Sequence, residues 1–349
     1  MDDKQLIDYY YNNIKNNKND AILSWRKIKK NKVNYFSLGF KYTFKYLFLN
    51  IKESIRYILH NIKLLIKYIK ISIKFRKVKL KKFNIISDIE TVDKIVNDKY
   101  SIARFGDGEF KWIFGIKQNS FQKDSKELAK RLKRVLKNND NEKLLIGIND
   151  SMNSIKVYNF SARLYWMEYL IELNSKLYKL IPNKMYISTN ITRPYIDYKD
   201  KSKEIIKAKF DNLKRIWDDR DVVIVEGEFT KLGVGNDLFN NCKSISRIIC
   251  PATNAFDKYD EIVNAIRKQS KDKLILMSLG PTATVLAYDM SKEGYQCIDT
   301  GHVDIEYMWF LNGAKNKEEV EGKFVNEVSS KVEDITDEKY INQIIARVE

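Results

Sequence analysis

Residues 221–225 read DVVIV, and the polar stretch EGEFTKLGVGND follows them directly. A short apolar run without alternation is typical of a strand that is buried on both faces of a sheet. Five similar runs predict five more strands, and helical stretches alternate with them. This alternation predicts an α/β fold, a Rossmann-like and mostly parallel sheet with helices on both faces. The other predicted strands are residues 143–148, 185–188, 245–250, 273–278 and 295–299, and the predicted helices lie near residues 121–138, 155–172, 200–217, 255–269 and 282–292.

Four of the predicted strands are followed directly by polar motifs. In an open parallel sheet, ligands bind beyond the carboxyl ends of the strands, and these ends lie at one edge. The sequence therefore predicts that the four motifs meet at one rim of the sheet. The motifs are EGEFTKLGVGND (226–237), PATNAF (251–256), LGPTAT (279–284) and GHVDIE (301–306).

A fifth motif, RFGDGE, occupies residues 104–109 and places two carboxylates one residue apart. Gly106 and Gly108 can adopt backbone angles that are closed to other residues, so a tight turn is expected here. On such a turn Asp107 and Glu109 can converge on one cation, and their hard oxygen ligands suit Mn²⁺ or Mg²⁺. A nucleotide diphosphate is the expected partner of that cation. A glycine-rich acidic turn can also be only a turn, so the interpretation depends on the rest of the chain.

In that context the chain resembles the GT-D type glycosyltransferases, whose metal-binding signature is an Asp-x-Glu inside an R-[FY]-G-D-G-E stretch. Residues 217–239, 248–256, 279–288 and 294–309 are similar to further blocks of that family, in the same order. The resemblance covers about residues 85–327. It implies a metal-dependent enzyme that moves a sugar from a nucleotide sugar, expected to be a UDP-sugar such as UDP-glucose, to a hydroxyl of a growing cell-surface polysaccharide or glycoprotein glycan.

The rim motifs supply the predicted binding site for the nucleotide sugar. Lys231 and Arg104 are the candidate counter-charges for the diphosphate. The hydroxyls and N–H groups near Gly280 would serve a phosphate at a helix N-terminus, although a threonine there can also cap its own helix. The polar pair before Leu238 could bind sugar hydroxyls or cap a helix that begins there. The predicted donor-binding residues are Arg104, Gly106, Glu226, Lys231, Gly235, Asn236, Asp237, Gly280, Thr282 and Thr284.

The last rim motif contains the candidates for the general base. An enzyme that inverts the anomeric centre needs a group to deprotonate the acceptor hydroxyl. Asp304 is the first candidate, ahead of His302 and Glu306. An enzyme that retains configuration could use the leaving phosphate instead, and the sequence leaves both outcomes open.

The positive charge of the chain is concentrated at its start. Residues 1–82 hold 21 basic and 5 acidic residues, which leaves 42 basic and 41 acidic residues for positions 83–349. The overall basicity is therefore no argument for nucleic acid at the active site, and nucleic acid is an unlikely partner. We expect three parts: a basic amphipathic helical arm (1–82), a catalytic domain (83–330) and a C-terminal helical tail (331–349).

Within the arm, residues 41–82 carry 13 basic residues and one acid. Apolar residues recur there at spacings of three and four, which predicts one helical face. A basic helix of this kind is expected to lie on an anionic membrane surface, and too many lysines interrupt it for a membrane-spanning helix. The enzyme is then expected to be cytoplasmic, peripheral on the inner face of the membrane, with a glycan acceptor that can be lipid-linked. The stripe consists of Ile51, Ile55, Ile58, Ile62, Leu65, Ile69 and Ile73.

Other interpretations stay open at this point. The stripe could pack on the catalytic domain or form a coiled coil, and an RNA-binding arm is a third possibility. A metal-dependent nucleotide hydrolase or phosphotransferase could use the same carboxylates, and an inactive membrane-associated adaptor could keep the fold. The three cysteines lack the spacing of a metal site and are expected in the core, while residues 323–327 are expected to close over the acceptor.

Overall fold

The computed structural model describes residues 3–15, 40–118, 121–138, 140–325 and 338–349. The chain divides into two compact units, Met1–Arg76 and Lys77–Glu349. The first unit corresponds to the predicted arm without its last residues, 77–82. The predicted tail is not a unit of its own, because its described residues belong to the second unit.

The first unit contains two helices, α1 (Asp3–Lys15) and α2 (Phe40–Phe75). Residues 40–75 contain no proline or glycine, so a long helix can form there. Gly39 lies just before the first residue of this helix. Leu49 of α2 is fully buried, and Lys45 forms an ion pair with Asp8 of α1. The predicted helical character is confirmed for Asp3–Lys15 and Phe40–Phe75, and residues 16–39 of the predicted arm lie outside the described residues.

The apolar stripe of α2 is exposed. Its seven residues, from Ile51 to Ile73, each have between 46% and 58% of their surface exposed. Lysines flank the stripe, and Glu53 is the one acid in the helix. No helix among the described residues is apolar over a long enough stretch to cross a membrane.

In the second unit, the described residues form one nine-stranded sheet, in the order β1-β4-β3-β2-β8-β7-β5-β6-β9. Neighbouring strands pair in parallel throughout. The central strands are buried on both faces, and Val223, Ile224 and Leu276 are completely inaccessible to solvent. The strands are β1 (Asn84–Ile85), β2 (Ser101–Arg104), β3 (Leu144–Ile148), β4 (Met185–Ser188), β5 (Asp221–Gly227), β6 (Ser244–Cys250), β7 (Leu274–Ser278), β8 (Gln296–Asp299) and β9 (Ile344–Arg347).

Helices flank this sheet, as predicted. They are α3 (Asp88–Asp98), α4 (Asp107–Ile113), α5 (Lys126–Leu136), α6 (Phe160–Leu180), α7 (Lys203–Lys214), α8 (Tyr259–Arg267), α9 (Pro281–Lys292), α10 (Val303–Leu311) and α11 (Glu338–Gln343), with short 3₁₀ helices at Asp150–Met152, Thr189–Thr192 and Ala255–Lys258. The six predicted strands and five predicted helices of the α/β domain are all present, and the fold class is confirmed. Cys250 and Cys297 are buried in β6 and β8, as expected of core residues.

The expectations were wrong in three places. Residues 331–349 were expected to be helical, but among the described ones Glu338–Gln343 is a short helix and Ile344–Arg347 is a strand that pairs with β6. This edge strand is only partly buried, so it lacks the continuous apolar run of a central strand. No helix begins at Leu238, where the chain forms turns instead. The motif GHVDIE continues into α10, a helix that is missing from the predicted ones; most of its residues are buried, the acids Asp304 and Glu306 included, so its sequence shows no helical period.

Strand β2 lies at the boundary between two halves of the sheet, one formed by β1, β4 and β3 and the other by β8, β7, β5, β6 and β9. It pairs with β3 on one side, and on the other side Ile102 pairs with Ile298 of β8. The connection from β2 leads to β3, while β8 arrives from the opposite half of the sheet. Such switch points leave a crevice at the carboxyl ends of the strands, and RFGDGE begins at this crevice.

Candidate active site

A cavity of about 1150 Å³ opens at the carboxyl edge of the sheet. Its walls come from the segments that follow β2, β3, β4, β5, β6, β7 and β8, so the predicted single rim is confirmed. The cavity is large for a single small ligand, since such pockets usually measure about 300–1,000 Å³. Of the predicted site residues, Arg104, Gly106, Asp107, Glu109, Gly280, His302 and Asp304 line it.

The RFGDGE motif is the start of helix α4 and not a glycine-hinged turn. Gly106 is the N-cap with φ of −84°, and its N–H donates to Oε2 of Glu109 over 2.8 Å. Neither Gly106 nor Gly108 has a positive φ. Gly106 instead leaves room for the side chain of Glu109, because a Cβ at residue 106 would lie 3.1 Å from that same Oε2. Asp107 and Glu109 thus lie in the first turn of a helix, where the helix dipole favours negative charge.

Asp107 is held by two donors through one of its oxygens. Lys111 Nζ lies 2.7 Å from Oδ2, and the hydroxyl of Tyr165 donates to the same atom. Lys111 also donates to the Tyr165 hydroxyl over 2.9 Å, which closes a triangle. Burial raises the pKa of Asp107, but the charge of Lys111 and these hydrogen bonds outweigh it and hold the pKa below the usual value. The carboxylate therefore stays ionised.

Glu109 lies among other acids. Burial, together with the nearby charges of Asp299 and Asp107, raises the pKa of Glu109 to about 7. Asp299 lies at the end of β8, also lines the cavity, and pairs with Nε of Arg104 over 3.3 Å. The site thus concentrates negative charge that a bound cation would offset.

These carboxylates fit a divalent cation. The hydrogen bonds described above engage Oδ2 of Asp107 and Oε2 of Glu109, so Oδ1 and Oε1 are the oxygens that could face a cation. Within the described part of the chain, no three acidic, histidine or cysteine side chains form a ready-made metal cage. Mg²⁺ in particular is usually held by one or two carboxylates together with water and substrate phosphates, and Asp107 and Glu109 could supply two such carboxylates at the cavity wall.

The guanidinium of Arg104 is locked in place at the wall of the cavity. Nη1 donates to the carbonyl of Thr189 over 3.2 Å and to the hydroxyl of Thr192. Gly301 packs against it with φ of +48°, and a Cβ there would lie 1.9 Å from Nη2. Arg104 therefore joins the segments that follow β2, β4 and β8.

Of the three candidates for the base, two line the cavity. His302 precedes α10, and Asp304 lies in its first turn. Oδ1 of Asp304 accepts a hydrogen bond from Asn236 over 2.7 Å, and Oδ2 pairs with the buried Lys323. Phe324, next to Lys323, also lines the cavity, while the remainder of the predicted closing segment at 326–327 lies outside the described residues.

Glu306 does not line the cavity and is completely buried. Its Oε2 accepts the backbone N–H groups of Tyr195 and Ile196 over 3.0 and 2.9 Å, and its Oε1 lies 3.4 Å from Nε of Arg193. These contacts support the segment after β4. Glu306 is therefore placed to hold the wall of the cavity and not to reach a substrate.

The loop after β5 also turns several predicted ligands away from the cavity. Glu226 is buried, pairs with Arg247 over 2.6 Å and accepts the N–H of Leu232. Lys231 is 5% exposed and is not part of the lining. Asp237 pairs with Lys214 and accepts the hydroxyl of Tyr307. These residues, together with Gly235 and Asn236, shape the loop behind the cavity wall.

At the start of α9, Gly280 alone of the three predicted residues reaches the lining. It is the N-cap with φ of +53°, and no side chain caps this helix. Thr282 and Thr284 are buried, and Thr284 donates to the carbonyl of Arg104 over 2.9 Å. Thr282 is thus not the cap that the sequence allowed.

Several lining residues were not singled out from the sequence, and Tyr165 and Arg193 are two of them that act on Asp107. Tyr165 lies within α6, and only the packing of α6 on α4 brings it to Asp107. Arg193 follows the 3₁₀ helix after β4, and its charge acts on Asp107. Its position after a predicted strand was a usable signal, whereas nothing in the sequence pointed to Tyr165.

Comparisons with known proteins agree with this geometry. The family model of the glycosyltransferase GT-D fold matches residues 102–328. A probable glycosyl transferase Gly from Streptococcus gordonii is 37% identical over 270 residues, which is 77% of this chain and 39% of that protein. The glycosyltransferase GlyD of Streptococcus pneumoniae serotype 4 is 38% identical over 261 residues, 74% of this chain and 32% of that protein. The chain thus spans well under half the length of these curated relatives.

Solved structures show the same fold. One, described as the highly conserved domain of unknown function 1792 with a distinct glycosyltransferase fold, has a TM-score of 0.74 and 36% identity, and covers 80% of this chain and 100% of that one. Another, a new glycosyltransferase of the same domain family from Streptococcus sanguinis, has a TM-score of 0.73 and 36% identity. It covers 77% of this chain and 100% of its own.

Proposed function

Because the chain belongs to the GT-D glycosyltransferase family, we propose that it transfers a sugar from a UDP-sugar, such as UDP-glucose, to a hydroxyl of a growing glycan with the help of Mn²⁺ or Mg²⁺. The observation that supports this most is the pair of anchored carboxylates, Asp107 and Glu109, at the wall of a cavity at the switch point of the sheet. The volume of the cavity, about 1150 Å³, leaves room for an acceptor beside the donor.

In this proposal Asp107 and Glu109 hold the cation through Oδ1 and Oε1. When bound, the cation would supply positive charge that offsets the negative charge developing on the departing nucleotide diphosphate. Arg193 lies on the same side of the cavity as Asp107, and its guanidinium suits a phosphate. Gly280 presents the N-terminus of α9 at the lining, and such a terminus favours anions.

His302 and Asp304 remain the candidates for a general base, because both line the cavity. Asn236 and Lys323 occupy both oxygens of Asp304. We therefore favour His302 as the group that accepts the proton of the acceptor hydroxyl, in the reverse of the order expected from the sequence. Asp304 instead pairs with Lys323 and accepts from Asn236, so it serves in this proposal to fix the segment beside His302.

We expect His302→Asn to lower kcat by about 100-fold or more, since general base catalysis contributes about 10² to 10⁴. The rate of UDP release from the donor measures this. Asp304→Asn is expected to act mainly on stability, because it leaves the charge of Lys323 buried without its partner. If Asp304→Asn lowers kcat as much as His302→Asn at an unchanged melting temperature, Asp304 is the base.

The proposal as a whole is tested with a panel of nucleotide sugars, each incubated with the protein and Mn²⁺ or with EDTA. We expect release of nucleoside diphosphate from one UDP-sugar, and we expect EDTA to stop it. Cleavage of UTP or UDP without sugar dependence would identify a hydrolase instead. If calorimetry detects no binding of UDP with Mn²⁺, the glycosyltransferase proposal fails.

We also propose that α2 binds the anionic surface of a membrane, so that the catalytic unit works at the cytoplasmic face on an acceptor that can be lipid-linked. Its exposed apolar stripe and flanking lysines support this, because such helices lie at the boundary of headgroups and acyl chains. Anionic lipids attract basic segments with about 1 kcal/mol per lysine or arginine.

Flotation of the full chain with vesicles measures this association. We expect the protein to float with anionic vesicles at low salt, and less so with neutral vesicles or at high salt. Reversal of three charges on α2, Lys63→Glu, Lys67→Glu and Lys70→Glu, is expected to weaken binding by about 100-fold or more. The matched control reverses Lys126, Lys130 and Lys133 on α5. Equal flotation of both triple variants would contradict the proposal.

A further inference from the structure

The two carboxylates of the proposed cation site are fixed in a similar way. The N–H of Gly106 holds Glu109 through Oε2. The Tyr165 hydroxyl and Lys111 hold Asp107 through Oδ2. In both cases one oxygen is fixed by protein donors and the other is left for a further ligand. Groups that orient metal ligands in this manner usually change metal affinity about 10- to 100-fold when they are removed.

Two donors reach Asp107, and they differ in their effect on a cation. Lys111 carries a positive charge 2.7 Å from Oδ2, so it fixes the carboxylate but also repels a second cation on it. The Tyr165 hydroxyl is neutral, so it fixes the same oxygen without that repulsion.

Tyr165 is itself held in position. Its ring stacks on Tyr169 at 6.3 Å with an interplanar angle of 21°, and the ring of Trp166 meets it edge-on at 5.3 Å. Lys111 Nζ donates to its hydroxyl and lies 5.5 Å from the centre of its ring. An aromatic side chain fixed on a helix is thus aimed from α6 at the first turn of α4.

From this geometry we infer that Tyr165 is a positioning residue for the proposed cation site: its hydroxyl fixes Oδ2 of Asp107 so that Oδ1 is presented to the divalent cation. The inference rests on the proposed function, since it requires Asp107 to be a ligand. Tyr165 does not contact the cation in this arrangement and takes no part in bond formation. Its effect is on how strongly, and in which orientation, Asp107 binds.

The chain offers a matched control at Tyr169, one turn along the same helix. Tyr169 stacks on Tyr165 and also faces Lys111, at 5.7 Å. Its hydroxyl is buried and makes no hydrogen bond in the described part of the structure. Tyr165→Phe and Tyr169→Phe therefore remove the same atom from the same aromatic cluster, but only Tyr165→Phe removes a donor to Asp107.

The test is the dissociation constant of Mn²⁺ in the presence of UDP, measured by electron paramagnetic resonance or calorimetry on the full chain. We expect Tyr165→Phe to weaken Mn²⁺ binding by about tenfold or more and Tyr169→Phe to change it less than twofold. We also expect excess Mn²⁺ to restore the rate of UDP release in Tyr165→Phe, because the defect lies in cation affinity. A general loss of structure would not be corrected by the cation.

Unchanged Mn²⁺ affinity in Tyr165→Phe, or equal losses in both variants, would overturn the positioning role and leave the proposed function standing. A wild-type protein that binds no Mn²⁺ with or without UDP would overturn both, since there would be no cation for Asp107 to bind. The two failures are therefore distinguished by the wild-type titration alone.

Discussion

Asp107→Asn or Glu109→Gln is expected to lower the rate of metal-dependent sugar transfer by about 1000-fold. Each replacement removes a negatively charged oxygen ligand of the proposed cation. A catalytic cation supplies several kcal/mol of charge stabilisation in the transition state, and each loss of about 1.4 kcal/mol lowers the rate tenfold. Both variants keep the shape of the side chain and can still occupy the first turn of α4. The measurement is UDP release from the donor, together with calorimetry of UDP in the presence of Mn²⁺.

Glu142→Gln is the matched control for this experiment. Glu142 is exposed and lies just before β3, at the amino edge of the sheet, away from the cavity. We expect its activity and Mn²⁺ binding to match the wild type. Turnover that is unchanged in Asp107→Asn or Glu109→Gln, at an unchanged melting temperature, would remove the cation site from the proposed function.

Arg247→Met is expected to reduce the free energy of unfolding by about 3–5 kcal/mol, because it leaves the carboxylate of Glu226 buried without its partner. The pair is 2.6 Å apart, and both side chains are almost inaccessible to solvent. Arg247 also donates to the carbonyl of Leu232 over 3.0 Å and to Gln343 over 2.7 Å. Denaturant unfolding measures the loss, and a melting temperature lower by about 10 °C is expected.

The double variant Glu226→Gln with Arg247→Met separates the cost of the lone charge from the loss of packing. We expect it to recover at least half of the lost stability, since replacing a buried ion pair as a whole is often nearly neutral. A double variant no more stable than Arg247→Met would show that the contacts of Arg247 to Leu232 and Gln343 matter more than its charge.

The sequence predicted the central sheet well because its strands are buried on both faces. Runs such as residues 221–225 and 273–278 are short and mostly apolar, which is typical of a strand buried on both faces of a parallel sheet. β1 has only two residues, and β9 is half exposed, so neither carries this signal. Helix α10 is buried over most of its length, which removes the period that a surface helix shows.

The site was predictable where chemistry and local sequence coincide, and not elsewhere. Asp107 and Glu109 belong to one motif and lie in one helical turn. Glu226, Thr284 and Glu306 also follow strands beside glycines, but their polar atoms bind backbone groups that hold the walls. Polar residues at such a rim serve ligands or loops, and only the three-dimensional arrangement separates the two roles. The contact between Tyr165 and Asp107 depends on how α6 packs on α4.

The order of the strands also affects how the chain folds during synthesis. β2, which leads into the RFGDGE motif, has β8 as one neighbour, and about 200 residues separate Ile102 from Ile298. At a translation rate of about 5–20 residues per second, the ribosome needs about 10–40 s to make that stretch. During this interval one edge of β2 has no native partner in the nascent chain. The strand that precedes the proposed cation site is therefore open to mispairing until β8 has been made.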